Sequence, residues 1–336
     1  MPLRIAVNQV QVVDEALAHY ALSLGVTSLN MNTPTLPTEL GYWTYDDLLR
    51  LRERCEEFGL TLEVIENIPF DFYDQVMVGG PRRDEQLQNV VTTIRNMSRA
   101  GIPMLGFHFM PGFVWRTTWD HPTRGGARAS AYDHALAPLG NKVIWPQHDG
   151  SLRITADELW ENYRVFLEAV LPVCEEVGLT LAQHPDDPPV ESIEGVDRIF
   201  ISPDAFSRAL EMANGSPAWG IDLCLGTVSE MNGAQSVHEM IERFGPDGRI
   251  RYVHFRDVQG TVPSFVECFI GDGNYDPYDA VMHLLNVGFD GWLQDDHVPV
   301  MDDDTPWAHR GRAHAIGYMQ GLLRAIEGQR RAAVAR

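Results

Sequence analysis

The sequence predicts an α/β protein built as a (β/α)8 barrel, and three observations support this prediction. Eight short apolar segments alternate with helical patterns along the 336 residues. Several helical patterns end at a glycine that an apolar run follows at once, as in Cys174-Glu-Glu-Val-Gly178-Leu-Thr-Leu. No Gly-x-Gly-x-x-Gly motif follows the first apolar segment, which argues against the rival fold, an open dinucleotide-binding sheet. We therefore expect a single barrel domain over residues 1–336.

The individual elements follow from local signals. A glycine just past a helix adopts the left-handed conformation without a Cβ clash, and the apolar run after it suits a strand buried on both faces. Thr155-Ala-Asp-Glu158 is typical of a capping box, and Thr44 opens a shorter helix in the same way. Strands are predicted near residues 3–8, 26–31, 61–66, 103–109, 179–184, 217–223, 250–256 and 291–296.

Composition limits the class of partner. The sequence contains 26 Lys and Arg residues and 47 Asp and Glu residues, for a net charge of −21. A chain this acidic repels nucleic acid and anionic membranes. No segment approaches the about 20 apolar residues of a membrane helix, and no secretory signal opens the chain. The four cysteines are too scattered for a disulfide framework. We expect a cytoplasmic protein that binds a small molecule, with a homo-oligomer as a possibility.

A long irregular segment follows the fourth predicted strand. It covers residues 110–152 and includes Thr123–Arg128 and Trp145–Gly150. An insertion of this length is costly to order unless it covers something, so we expect it to form a lid over the barrel mouth. A disordered loop is the alternative, and the aromatic residues Phe113, Trp115, Trp119 and Trp145 argue against it.

Metal-binding side chains collect at the predicted strand ends. His184, Cys224, His254 and Asp296 end four successive strands, and His108 ends the fourth strand. Side chains at the carboxyl ends of barrel strands surround one common site. Imidazole, thiolate and carboxylate are the groups that bind a divalent transition metal. A lone histidine or cysteine usually has a structural role, so the prediction rests on their coincidence at one barrel edge.

Several motifs resemble a known family. His184-Pro-Asp-Asp-Pro-Pro189 resembles the segment at the fifth strand of the mannonate dehydratases, which are metal-dependent sugar-acid dehydratases on a xylose-isomerase-like barrel. Further matches occur in the family's order and span most of the chain, at residues 109–115, 223–226, 253–258, 272–276 and 296–297.

The resemblance implies a metal site and a reaction. A manganese-type divalent ion would be held by His184, Cys224, His254 and Asp296, and His297 would transfer protons. The reaction implied is loss of water from an aldonic acid, such as D-mannonate, to give a 2-keto-3-deoxy acid. The residue chemistry agrees, because removal of a proton next to a carboxylate requires a cation and a nearby base. The thiolate ligand alone favours Zn²⁺ or Fe²⁺ over Mn²⁺.

Other residues are predicted to contact the anionic sugar substrate. Arg256 lies two residues past His254, on the same face of the strand end, and is expected to clamp the carboxylate; an ion pair with Asp257 or a helix is the equal alternative. Glu66 matches a family glutamate and would orient a ligand or a hydroxyl group. We also assign His108, Trp115 and Arg124 to substrate binding.

The catalytic acid is the least defined residue. The family resemblance implies a tyrosine after the last strand, and Tyr318 is the candidate for it, although it lies farther along the chain than expected. His309 and Arg312 are alternatives in the same segment.

Two other functions remain open from the sequence. The same metal barrel would also suit a sugar isomerase, an epimerase or a lyase acting next to a carbonyl group. A sugar-binding or structural barrel without catalysis is a third reading, and the presence of all four ligands argues against it.

Overall fold

The computed structural model describes residues 3–139 and 151–334, which form a closed barrel and a smaller antiparallel sheet. In chain order the strands are β1 (Arg4–Val10), β2 (Ser28–Asn32), β3 (Thr61–Glu66), β4 (Met104–Phe107), β5 (Thr118–Pro122), β6 (Arg128–Asp133), β7 (Thr180–Gln183), β8 (Ser192–Ile193), β9 (Val196–Asp197), β10 (Trp219–Cys224), β11 (Ile250–His254), β12 (Asp257–Thr261), β13 (Ser264–Cys268) and β14 (Trp292–Gln294). The helices are α1 (Glu15–Ser23), α2 (Tyr45–Glu57), α3 (Asp74–Met77), α4 (Arg83–Arg99), α5 (Ala156–Val177), α6 (Pro203–Met212), α7 (Leu225–Asn232), α8 (Ala234–Phe244), α9 (Pro277–Asn286) and α10 (His309–Val334).

The predicted (β/α)8 barrel is confirmed. Its strands follow the order β1-β14-β11-β10-β7-β4-β3-β2, and β1 pairs with both β14 and β2, which closes the sheet. All neighbours are parallel, so the carboxyl ends of the strands meet at one mouth. Each barrel strand coincides with one of the predicted apolar segments.

The local signals act as predicted. The Thr155 side chain accepts a hydrogen bond from the Glu158 backbone N–H at 3.3 Å, and Glu158 Oε2 accepts one from the Thr155 N–H at 2.9 Å. Gly178 ends α5 in the left-handed conformation, with φ 72°. No described helix is both long enough and apolar enough to cross a membrane.

The barrel interior beneath the mouth is polar rather than aliphatic. Fully buried amide and acid side chains project into it from five strands, whereas a large apolar cluster joins the strands to the surrounding helices. The polar layer supports the side chains that end the strands, and it includes Asn8, Asn30, Gln183, Asp222 and Gln294.

The described part of the insertion is more regular than the sequence indicated. Two of its segments form β5 and β6, and these join β12 and β13 in a four-stranded antiparallel sheet of order β12-β13-β6-β5. The hairpin β12–β13 follows the seventh barrel strand, where the sequence predicted only a helix. The segment 140–150, which contains Trp145, lies outside the described residues.

Candidate active site

Four side chains expected to bind metal are brought together at the mouth. The donor atoms of His184, Cys224 and His254 all lie within 4.8 Å of one another, and all three residues are buried. Asp296 approaches from the loop after β14, with its Oδ2 3.7 Å from His254 Nδ1 and 3.9 Å from Cys224 Sγ. Cys224 and Asp296 are therefore close in space although 72 residues separate them in the sequence.

Both imidazole rings are oriented by hydrogen bonds on their far sides. His254 Nε2 lies 2.9 Å from Glu66 Oε2 and 3.4 Å from Asp222 Oδ2, while its buried Nδ1 has no hydrogen-bond partner among the described residues. His184 Nδ1 lies 2.6 Å from the carbonyl oxygen of Pro185. A histidine that donates from one nitrogen presents the lone pair of the other, which is the usual arrangement of a metal ligand.

Cys224 has the character of a thiolate. It ends β10 and caps α7, where its sulfur accepts from the backbone N–H of Thr227 at 3.5 Å and from the hydroxyl at 3.2 Å. Burial opposes ionisation, but the charge of Arg256 and the neighbouring imidazoles of His184 and His254 outweigh it and lower the pKa of the thiol to about 5. The two imidazoles, the sulfur and the carboxylate of the cluster fit a divalent transition-metal ion.

Arg256 is held by carboxylates of the protein. Its guanidinium lies 2.7 Å from Glu230, 3.0 Å from Asp187 and 3.3 Å from Asp296, and the side chain is 1% exposed. Of the two structural alternatives, the pair with Asp257 does not form, because that carboxylate accepts backbone N–H groups of its own and neighbouring turns, whereas the pair with a helix does form, through Glu230 of α7. Arg256 lines the cavity with its charge shared among these carboxylates, and its role as a clamp for the substrate carboxylate stays a prediction.

The ion pairs of Arg256 extend into the insertion. Arg116, from the segment before β5, lies 2.5 Å from Asp187 and 2.8 Å from Glu267, and is fully buried. Glu267 lies on β13 and Asp187 in the loop after β7. We call Arg116, Asp187, Arg256 and Glu267 the buried ion network; it ties the antiparallel sheet to the barrel mouth.

His297 is positioned by this network. Its Nδ1 lies 2.6 Å from Glu267 Oε1 and 3.2 Å from Arg256 Nη1, and its side chain is 24% exposed. Burial lowers the pKa of His297, but Glu267 and Asp296 outweigh burial and raise it above the ordinary value. The contact to Glu267 occupies Nδ1 and leaves Nε2 as the nitrogen available to a ligand.

His108 also lies at the cavity, as a neutral group. Its Nδ1 accepts from the backbone N–H of Met110 at 3.3 Å, and its Nε2 lies 3.5 Å from the Tyr73 hydroxyl. Burial lowers the pKa of His108 to about 3, with a further contribution from His184. His108 is therefore suited to hydrogen bonding rather than to charge pairing.

A cavity of about 400 Å³ opens in front of these residues. Of the predicted site residues, it is lined by His108, Glu66, His184, Arg256, Asp296 and His297, with Cys224 and His254 among their buried neighbours. The remaining wall consists of Asp187 from the loop after β7, of polar residues from the first three strand ends and of aromatic and apolar residues, namely Gln9, Gln11, Asn32, Thr33, Asn67, Ile68, Phe70, Met110, Phe113, Val114 and Trp119.

Two residues assigned to substrate binding lie elsewhere. The indole N–H of Trp115 donates to the carbonyl oxygen of Ala137 at 3.1 Å, which directs the ring away from the cavity lining. Arg124 pairs with Asp272 at 3.0 Å and lies over the ring of Phe269. The insertion instead contributes Phe113 and the 54% exposed Trp119, whose ring centroid is 6.4 Å from that of His297.

The three candidates for the catalytic acid also lie outside the set of residues that line the cavity. Tyr318 lies within α10 beside Gly271, where a Cβ would stand 2.8 Å from the Tyr318 hydroxyl. Arg312 pairs with Asp295 at 2.5 Å, and His309 Nδ1 lies 2.5 Å from the Thr305 hydroxyl. The structure thus brings none of these three side chains to the described cavity wall.

Sequence reasoning included Glu66 as a residue that orients a ligand, but it missed two other carboxylates that hold the histidines, Glu267 and Asp222. Glu267 follows Phe265-Val266 in an apolar strand and is only 3% exposed, and Asp222 lies between apolar residues of β10. An acidic residue inside an apolar run is a signal of a buried, paired charge. The sequence does not show which histidine each acid contacts. Glu267 contacts His297, which is 30 residues farther along the chain, and Asp222 contacts His254, 32 residues farther along.

The parallel barrel, with ionisable side chains gathered at the carboxyl ends of its strands, defines a (β/α)8-barrel enzyme. Xylose isomerase domain protein from Planctomyces limnophilus shares this fold, with a TM-score of 0.64 at 16% identity over 98% of this chain and all of that one. The chain belongs to the D-mannonate dehydratase (UxuA) family, whose model matches residues 23–333.

Individual relatives agree with this assignment. Mannonate dehydratase 2 of Halalkalibacterium halodurans is 31% identical over 315 residues, covering 85% of this chain and 88% of the relative. The crystal structure of mannonate dehydratase from Streptococcus suis serotype 2 superposes with a TM-score of 0.84 at 28% identity, covering 99% of this chain and 96% of that one. Membership of this family makes the protein a hydro-lyase.

Proposed function

We propose that the protein removes water from D-mannonate to form the 2-keto-3-deoxy acid, with a divalent metal ion as cofactor. The observation that carries the proposal is the convergence of His184, Cys224, His254 and Asp296 beside His297 at one cavity. These four residues would hold the metal, for which Mn²⁺ is the first choice and Fe²⁺ or Zn²⁺ the alternatives. When bound, the ion would stabilise negative charge on the substrate carboxylate as C2 loses its proton.

Side chains of the protein would carry out the proton transfers of this reaction. Dehydration takes a proton from C2 and the hydroxyl group from C3, and the resulting enol gains a proton at C3 as it becomes the 2-keto acid. Nε2 of His297 is the ring nitrogen that would move a proton, because Nδ1 is bound to Glu267. The buried ion network fixes the ring, and neutral His108 would hydrogen-bond a substrate hydroxyl group.

A reducing compartment suits this site. Cys55, Cys174, Cys224 and Cys268 are all free cysteines, and a metal-binding role requires Cys224 to stay reduced. We propose the cytoplasm as the site of action.

The reaction is tested with purified protein, D-mannonate and each of the three metals. We expect formation of a 2-keto acid, and in D₂O the product should carry one solvent deuterium at C3. An epimerase would instead place deuterium on a sugar that keeps all its hydroxyl groups. No 2-keto-3-deoxy acid above the rate without enzyme, with any metal, would contradict the proposal.

Two variants assign the roles of the residues. Asp296→Ala should lose both metal and activity, because it removes a ligand. His297→Asn should keep the metal, measured by elemental analysis, and lose turnover. Retained turnover in His297→Asn would remove this residue from the mechanism.

A further inference from the structure

The cavity has a second wall of different chemistry. It is formed by Gln9, Gln11, Asn32, Thr33 and Asn67, which we call the amide wall. These residues lie at or just beyond the ends of β1, β2 and β3, and in the barrel order β2 and β3 stand across the mouth from β10 and β11. The amide wall carries no charge, whereas the other side of the mouth carries the metal-binding cluster, Arg256 and His297; the two sides meet where Gln9 Nε2 donates to Asp296 Oδ1 at 2.9 Å.

The backbone of the amide wall is unusual. Gln9, Thr33 and Asn67 all have positive φ, of 59°, 45° and 63°. Side chains other than glycine rarely adopt this conformation, and β-branched Thr33 does so at particular cost. Such strain is characteristic of functional sites, and here it turns three successive strand ends toward one cavity.

Asn67 lines the cavity and carries a hydrogen-bond acceptor that no described residue satisfies. Its backbone N–H is held by the carbonyl oxygen of Gly106 at 2.8 Å, and the residue is 9% exposed. Its buried Oδ1 has no hydrogen-bond partner among the described residues. By contrast, Asn32 contacts Glu66 at 3.4 Å and accepts from the Thr33 hydroxyl at 3.2 Å. A buried acceptor at a cavity wall is costly unless a ligand supplies the donor.

We propose that the amide wall binds the hydroxyl groups of the substrate tail, beyond C3, and that Asn67 Oδ1 accepts a hydrogen bond from one of them. This inference rests on the proposed function, because the charged wall then receives the carboxylate and the reacting carbons. Uncharged amide and hydroxyl groups match a polyol, which offers both donors and acceptors without charge. The amide wall therefore selects a polyhydroxy acid by the length of its tail.

The test combines a side-chain deletion with a shortened substrate. Asn67→Gly removes the amide and tolerates positive φ, and Asn67→Asp keeps an acceptor oxygen. Asn214→Gly is the matched control, because Asn214 is an exposed asparagine with φ 50°. L-erythronate keeps the C2 and C3 configuration of D-mannonate and ends at C4. Calorimetric binding and steady-state turnover are measured with metal-loaded protein for both acids, and thermal melting checks folding.

We expect Asn67→Gly to weaken binding and kcat/KM for D-mannonate by about tenfold, the effect of losing one buried hydrogen bond, with less than about twofold change for L-erythronate. Asn67→Asp should recover part of the loss, and Asn214→Gly should match wild type. Equal losses for both acids, or no loss for either, would overturn the subsite while leaving the dehydratase proposal intact.

Failure of the proposed function has a different signature. Wild-type protein that binds D-mannonate without dehydrating it, with weaker binding in Asn67→Gly, would support the subsite and contradict the proposed reaction. Wild-type protein that neither binds nor converts either acid would overturn both.

Discussion

Replacing Glu267 should disable His297 while leaving the metal site in place. In the structure, Glu267 Oε1 is the acceptor both for His297 Nδ1, at 2.6 Å, and for Arg116 Nη2, at 2.8 Å. Glu267→Ala removes this oxygen, so the imidazole loses the contact that fixes its orientation. Loss of a buried carboxylate that orients an active-site histidine lowers activity by about 10- to 100-fold, which raises the activation free energy by about 1.4–2.7 kcal/mol. We expect this loss in kcat, with KM for D-mannonate changed little.

Glu267→Gln separates orientation from charge. Its amide oxygen is able to accept the same two hydrogen bonds, so activity should stay within about tenfold of wild type. Glu267→Ala also breaks a buried ion pair, which costs about 3–5 kcal/mol in folding, so the amide variant is the safer probe. Glu175→Ala, at an exposed glutamate that accepts from Ser216, is the control and should not change kcat.

The assay is steady-state dehydration of D-mannonate, with metal content and thermal melting measured on the same samples. A folded, metal-loaded Glu267→Ala protein with wild-type kcat would refute the reasoning. A loss confined to KM or to metal content would refute it as well, because either result would place Glu267 outside the positioning of His297.

Three further predictions concern the metal and the fold. Cys224→Ser should lower metal content and activity together, since the soft anionic ligand is removed, whereas Cys174→Ser should leave metal content unchanged; equal metal content in both would contradict the ligand assignment. Glu66→Gln should weaken metal affinity by about tenfold through His254, measured by competition with a chelator, and unchanged affinity would argue against this support. Gly178→Ala should lower the free energy of unfolding, measured with denaturant, by about 1 kcal/mol and leave kcat unchanged. No atom lies within 4 Å of the new Cβ, so only the left-handed backbone is strained, and a larger loss would indicate a missed contact.

The barrel was readable from the sequence because its signals are local. A buried parallel strand is a continuous apolar run, and the glycine before it, as at Gly178, marks the joint within a few residues. The antiparallel sheet gave no such signal, since β5 is mostly exposed and β6 pairs with β13 across more than 100 residues. Pairing of this kind depends on the packed fold rather than on the neighbouring sequence.

The site was predictable to the level of strand ends and no further. His184, Cys224, His254 and Asp296 could be placed at one mouth because barrel topology brings all strand ends together. Which aromatic residue of the insertion faces the cavity depends on the pairing of β5 with β6, and this selects Trp119 rather than Trp115. The sequence likewise placed Arg256 at the site without showing that its charge is already matched.

The charges around the cavity explain how a protein with a net charge of −21 is suited to an anionic substrate. Screening removes most of the long-range repulsion beyond about 8 Å at physiological salt, so the charges next to the cavity decide whether an anion binds. The balance of these charges is acidic, because the two guanidinium groups of the buried ion network face the carboxylates of Asp187, Glu230, Glu267 and Asp296. A divalent cation between His184, Cys224, His254 and Asp296 would offset this excess at the point where the substrate carboxylate must bind. The arginines would then serve chiefly to hold the acids and His297 in place, and the positive charge that attracts the substrate would come from the proposed metal ion.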